Sequence, residues 1–132
     1  MESRLTGRVQ AGTGDASRWL SKFNAAYSRK IGVPVFPGSL NVALEAPFDW
    51  FDPAIVSRTI PFDRTEYGGE RDILLVPCLL PNHASEPAWL WTTTTAARDR
   101  EDPWVVELIA TRNLRETYGL RDGSPVEIRL FD

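Results

Sequence analysis

The chain is short of the residues that carry the commonest catalytic and metal chemistries. Its 132 residues include one cysteine, Cys78, and one histidine, His83. A single cysteine makes no internal disulfide, which agrees with a reducing compartment, and Cys78 reads as buried and inert. A lone histidine argues against a zinc site and leaves no Ser–His–Asp set; His83 reads as a loop residue. Lysine is scarce, at Lys22 and Lys30, against 13 arginines. No basic tract is present and the net charge is −3, so no nucleic-acid partner is expected. No apolar run approaches the roughly 20 residues of a membrane span. No apolar signal-peptide region follows the first four residues. The expected setting is the cytoplasm, with no membrane partner. With 42% hydrophobic and 25% charged residues, the expectation is one globular domain over residues 1–132, folding without staples.

One stretch stands out: Val35-Phe36-Pro37-Gly38-Ser39-Leu40-Asn41-Val42. Pro37 and Gly38 set a corner. In an extended strand, residues two apart share a face. Ser39 and Asn41 then present two oxygens together, while Leu40, Val42 and Leu44 enter a core. Short oxygen ligands suit a hard cation such as Mg²⁺ that arrives with substrate phosphates; the plainer alternative is a turn and a strand whose polar groups face water.

A second constellation lies upstream. Residues 5–9 read as a strand, with Leu5, Gly7 and Val9 on one face. It enters Gly12-Thr13-Gly14-Asp15-Ala16-Ser17. Trp19, Leu20, Phe23, Tyr27 and Ile31 recur at helical spacing, which predicts one long helix over residues 16–31 ended by Gly32 and Pro34. A strand, a glycine-rich loop and a helix N-terminus can cradle a phosphate. The loop is neither a Walker loop nor a dinucleotide fingerprint, and a tight turn capped by Asp15 explains it equally well.

Further strands are expected at residues 39–44, 57–62, 72–80, 89–95, 104–109 and 125–131, with Pro77 where no ladder hydrogen bond is needed. Residues 46–53 form an aromatic loop that packs on the barrel or on a ligand. Residues 81–87 read as a loop, and the charge run at 98–102 as a solvated one. Glu107 sits in an apolar strand, either at an edge or lining a polar pocket. A short helix at 114–118 can be capped by Thr111 or by Asn113, the latter matching a capping box with Glu116, and is stopped by Gly119. Asp122-Gly123 is a turn. So many strands exceed a doubly wound sheet. A small barrel with helices over its openings is the natural closure.

Taken in order, Gly12-Thr13-Gly14-Asp15-Ala16, Pro37-Gly38-Ser39-Leu40-Asn41, Tyr67-Gly68-Gly69, Val106-Glu107-Leu108-Ile109-Ala110, Leu114-Arg115-Glu116 and the closing Gly119-Leu120 and Asp122-Gly123 resemble the archaeal-type CTP-dependent riboflavin kinases. The resemblance implies a mainly β fold, a six-stranded cradle-loop barrel with one long and one short helix. It implies transfer of the γ-phosphoryl group of CTP to the ribityl 5′-hydroxyl of riboflavin, giving FMN and CDP with Mg²⁺. Carried over by position, Gly12, Thr13, Gly14, Asp15, Ala16 and Ser17 hold the nucleotide, with Arg112, Asn113, Leu114 and Arg115 completing its site. Ser39 and Asn41 bind Mg²⁺, and Glu107 meets the flavin near the reacting hydroxyl as the catalytic carboxylate. Ser39 stands where the family usually has threonine, and residues 92–104 depart from the family, which usually places a threonine and a histidine there against the flavin. That departure keeps a rival reading open, a non-catalytic barrel that retains a nucleotide or small-ligand cradle.

Overall fold

Strand alternation sets the architecture. In the computed structural model, which describes residues 4–12 and 14–131, seven strands form one antiparallel sheet: β1 (Arg4–Gln10), β2 (Leu40–Leu44), β3 (Ile60–Phe62), β4 (Ile73–Leu80), β5 (Glu86–Thr93), β6 (Val105–Ala110) and β7 (Pro125–Leu130). Their order is β3-β4-β5-β6-β2-β1-β7. Pairing of Cys78 with Leu130 and of Leu79 with Arg129 brings β4 onto β7. Six strands thus close into a barrel, and β3 extends the sheet beside β4. Closure leaves six strands without a free edge.

The alternate residues of each strand fill two separate cores. Val9, Leu40, Val42, Val76, Cys78, Leu90, Val106, Leu108 and Ile128 point into the barrel and are buried together. Ile73, Leu75, Trp91 and Ile109 have the opposite phase and belong to a second cluster with Ala16, Leu20, Tyr27 and Phe62. This second core lies between the outer wall of the barrel and two helices, α1 (Asp15–Lys22) and α2 (Asn24–Ile31). The helices therefore cover a wall rather than an opening. A three-strand stretch of that wall, carrying Leu75, Trp91 and Ile109, is apolar and needs a cover.

The single helix expected over 16–31 is two, because Phe23 adopts φ −110° and ψ 20° between them. The hydrophobic period continues through this break, so periodicity alone does not reveal it. Four shorter helices are present, α3 (Pro53–Val56), α4 (Arg64–Tyr67), α5 (Thr94–Arg98) and α6 (Leu114–Tyr118). Only α6 was expected; Asn113 caps it, accepting from the Glu116 amide at 3.2 Å. The strand expected over 89–95 gives way to α5 at Thr94, where the Thr93 hydroxyl accepts from the Ala96 amide at 3.0 Å and turns the chain into a helix. Upstream, the same strand starts earlier than expected, at Glu86, inside the segment read as a loop. Pro77 pairs with Trp89 on one side and falls between the β3 and β7 pairings on the other. There β4 has a partner on one side only, and a missing N–H is tolerated.

Candidate active site

Strand register builds the site. Gln10 of β1 lies opposite Asn41 of β2, Asn41 opposite Glu107 of β6, and Glu107 opposite Trp91 of β5. Directly opposed residues share a face of the sheet, with Cβ atoms about 5 Å apart. The four side chains therefore form a row on the outer wall of the barrel, beside the second core. Glu107 lies on an interior strand, which settles its position as lining a polar pocket. The row opens into a cleft of about 560 Å³ lined by Gly12, Asp15 and Ala16 on one side and Phe48 and Trp50 on another.

Within the row, the Ser39 hydroxyl donates to Glu107 Oε1 at 3.1 Å. Ser39 precedes β2 instead of beginning it, yet its side chain converges with Asn41 on Glu107. Burial raises the pKa of Glu107 above the usual carboxylate range; the Ser39 hydrogen bond lowers it and the nearby charge of Asp15 raises it further. A partly desolvated carboxylate with a raised pKa, held by one hydroxyl, is suited to accept or orient a proton.

Gly12 explains the spacing of the loop. A Cβ built on it would lie 2.8 Å from Asn41 Nδ2 and 3.0 Å from Asn41 Cγ. The Asn41 amide thus lies flat against the backbone at Gly12, and any side chain there would displace it. Gly14 is the N-cap of α1 in the left-handed conformation at φ 84°, which glycine adopts without a Cβ clash. Asp15 and Ala16 bring the start of α1 to the cleft, and a helix N-terminus favours an anion.

The nucleotide loops expected from the resemblance meet at one end of the barrel. The Phe36 amide donates to the Ala110 carbonyl at 2.8 Å, which ties the Pro37-Gly38 corner to the end of β6. Arg115 donates to the Gln10 carbonyl at 3.2 Å and to Asp122 at 2.8 Å, which ties α6 to the end of β1. Not every residue reaches the cleft. Gly12, Asp15, Ala16, Asn41 and Glu107 line it; Gly14, Ser17, Ser39, Arg112, Asn113, Leu114 and Arg115 do not, and Thr13 lies outside the described residues. Arg112 is drawn to the buried Glu86, 2.9 Å from its Oε1. Leu114 is buried in the barrel core.

Other lining residues were not legible as such. Trp91, buried, turns its Nε1 to the Tyr27 hydroxyl at 2.8 Å. Trp19, assigned to the apolar helix face, is 39% exposed and forms part of the cleft wall. Arg100, Glu101 and Asp102, read as a solvated run, line the cleft too. An aromatic slot of about 160 Å³ adjoins it, with Trp19, Trp91 and Thr93 common to both and Phe23 and Tyr67 beyond.

The oxygens of Ser39, just before β2, and Asn41, on it, are hard neutral donors beside Glu107, which suits Mg²⁺. Among the described residues no group of three or more His, Cys, Asp or Glu could hold a metal ion. The fit is therefore to a cation whose remaining ligands are water and phosphate. No helix of the described residues is long and apolar enough to cross a membrane.

The family model of the CTP-dependent riboflavin kinase domain, also described as domain of unknown function DUF120, matches residues 9–130. A riboflavin kinase of Staphylothermus marinus is 22% identical over all of this chain and 95% of its own length. One from Methanothermobacter thermautotrophicus is 31% identical, over 91% of this chain and 93% of its own. One from Pyrobaculum islandicum is 28% identical over 97% of this chain, which spans only 60% of that relative.

Proposed function

Because the chain belongs to the CTP-dependent riboflavin kinase family, we propose that it transfers the γ-phosphoryl group of CTP to the ribityl 5′-hydroxyl of riboflavin, releasing FMN and CDP, with Mg²⁺ as cofactor. The observation that carries this reading is the row Asn41–Glu107–Trp91 beside Gly12 and the start of α1. It joins a metal-suited amide, a carboxylate and an anion cradle in one cleft. Phosphoryl transfer asks little covalent chemistry of a protein; position and charge stabilisation do most of the work.

In this reading the loop of residues 12–17 holds the polyphosphate at the head of α1. Arg115 and the backbone near Arg112, Asn113 and Leu114 border the nucleoside. Ser39 and Asn41 hold Mg²⁺, which when bound neutralises phosphate charge. Glu107 accepts or orients the proton of the acceptor hydroxyl, and Ser39 keeps its Oε1 in place. Trp19, Trp91 and Trp50 offer flat apolar walls to a flat ring, taking over from the threonine and histidine usual in the family. The single cysteine and the soluble substrates agree with a cytoplasmic enzyme.

The test is incubation of the protein with riboflavin, Mg²⁺ and each of four nucleoside triphosphates, followed by chromatography for FMN. FMN formed fastest with CTP supports the reading. Equal yields from CTP and ATP count against a pyrimidine-reading pocket. No FMN with any donor, from folded protein, favours the non-catalytic cradle instead.

A further inference from the structure

The end of α5 departs from the glycine ends of α2, α4 and α6. The Arg100 amide donates to the Ala97 carbonyl at 3.2 Å, and the Glu101 amide to the Ala96 carbonyl at 3.0 Å. These two bonds are the paired closure of a Schellman motif, whose left-handed position is usually glycine. Helices α2, α4 and α6 place Gly32, Gly68 and Gly119 at their left-handed ends. Helix α5 places Arg100 there, at φ 52°. A Cβ disfavours this conformation, and nothing in the turn itself calls for a guanidinium. Non-glycine residues held in such conformations cluster at ligand clamps.

The surroundings of Arg100 give that side chain a role. The cleft is lined by five carboxylates, those of Asp15, Asp49, Glu101, Asp102 and Glu107, and among the described residues Arg100 is its one cationic side chain. No hydrogen bond or ion pair to a described residue engages its guanidinium. Arg112 and Arg115, by contrast, lie against Glu86 and Asp122. A polyphosphate entering a cleft so rich in negative charge needs positive charge beyond one divalent cation. Arginine presents a planar fork matched to phosphoryl oxygens.

We propose that Arg100 contacts the phosphoryl group being transferred and offsets its charge as it passes from nucleotide to acceptor. The assignment rests on the kinase reading of this cleft. In the transfer, the bond from the γ-phosphorus to the bridging oxygen of CDP breaks as the acceptor oxygen bonds to that phosphorus. The acceptor proton goes to Glu107, and Arg100 neither gains nor loses one.

Arg100→Gly tests the assignment without endangering the fold, because glycine is the residue the turn favours. The variant should melt about 3 °C higher than the wild type, as relief of one left-handed side chain implies. By calorimetry with Mg²⁺ present, its affinity for CTP and for inorganic tripolyphosphate should fall about tenfold. Affinity for cytidine and for riboflavin should stay unchanged, while FMN formation drops about a hundredfold. Unchanged tripolyphosphate and CTP affinity would overturn the proposal, as would a loss confined to riboflavin binding. If the wild type makes no FMN, the kinase reading fails by itself, since the tripolyphosphate titration reads Arg100 without turnover.

Discussion

Glu107 carries the sharpest contrast between stability and use. Its neighbours bury it, and its raised pKa means that the folded state disfavours the ionised form. The sign follows from linkage. A carboxylate with a folded pKa above its unfolded value destabilises the fold once pH rises through that interval, and has no such effect below both values. Glu107→Gln keeps an acceptor for the Ser39 hydroxyl and removes the charge beside Asp15. The variant should therefore melt above the wild type at pH 7–8, and the gap should close below about pH 4, where the carboxyl is protonated in both states. Its FMN turnover should fall tenfold to a hundredfold, an order-of-magnitude figure for lost proton assistance. Thermal melts across pH, read beside FMN kinetics, decide this. A wild type that melts higher at neutral pH, or a variant with full turnover, would make Glu107 a structural residue.

At the scale of elements, caps and breaks matter more than periodicity. Asn113 is close to the site by sequence, yet its side chain is spent on the start of α6. Asn113→Ala should lower stability by about 1 kcal/mol, whereas Asn113→Asp should hold it, as denaturant melts would show. Equal melts for Asn113→Ala and wild type would free that side chain for the nucleotide. Helix α6 was legible because Asn113 and Gly119 mark both its ends. The break at Phe23 was not, since Trp19, Leu20, Phe23 and Tyr27 keep one helical phase across two helices. Helix α5 was hidden for a different reason. Thr92, Thr93, Thr94 and Thr95 read as strand by propensity, and only the Thr93 cap turns the last two into helix. A strand ending at Thr95 leaves the charge run of 98–102 as a solvated loop, whereas α5 carries Arg100, Glu101 and Asp102 to the cleft wall. The Asn41–Glu107 pair was half legible: same-face spacing gave Ser39 and Asn41, but cross-strand register, a long-range property, brought Glu107 to them.

Over the whole molecule, barrel closure separates an inert interior from a working outer wall. Cys78 sits inside, next to the β4–β7 seam that closes the ring. Burial pushes its thiol up to about 12. Cys78 should resist alkylation in the folded protein and react on unfolding in denaturant, so its labelling rate reports opening of the barrel. Rapid labelling of native protein would place that seam at the weak end of the fold. The outer wall needs two things at once, an apolar cover for Leu75, Trp91 and Ile109, and an uncovered polar row at Asn41 and Glu107. Helices α1 and α2 provide the first and stop short of the second, and that boundary is the cleft. The central claim is that Asn41 of this row serves the metal-bound nucleotide. The most direct measurement is the rate of FMN formation from CTP and riboflavin as Mg²⁺ is raised, in wild type and Asn41→Ala. The variant should melt like the wild type, form FMN at least about a hundredfold more slowly, and require more Mg²⁺ to reach its plateau. A variant with the wild-type rate at the wild-type Mg²⁺ requirement would contradict the assignment.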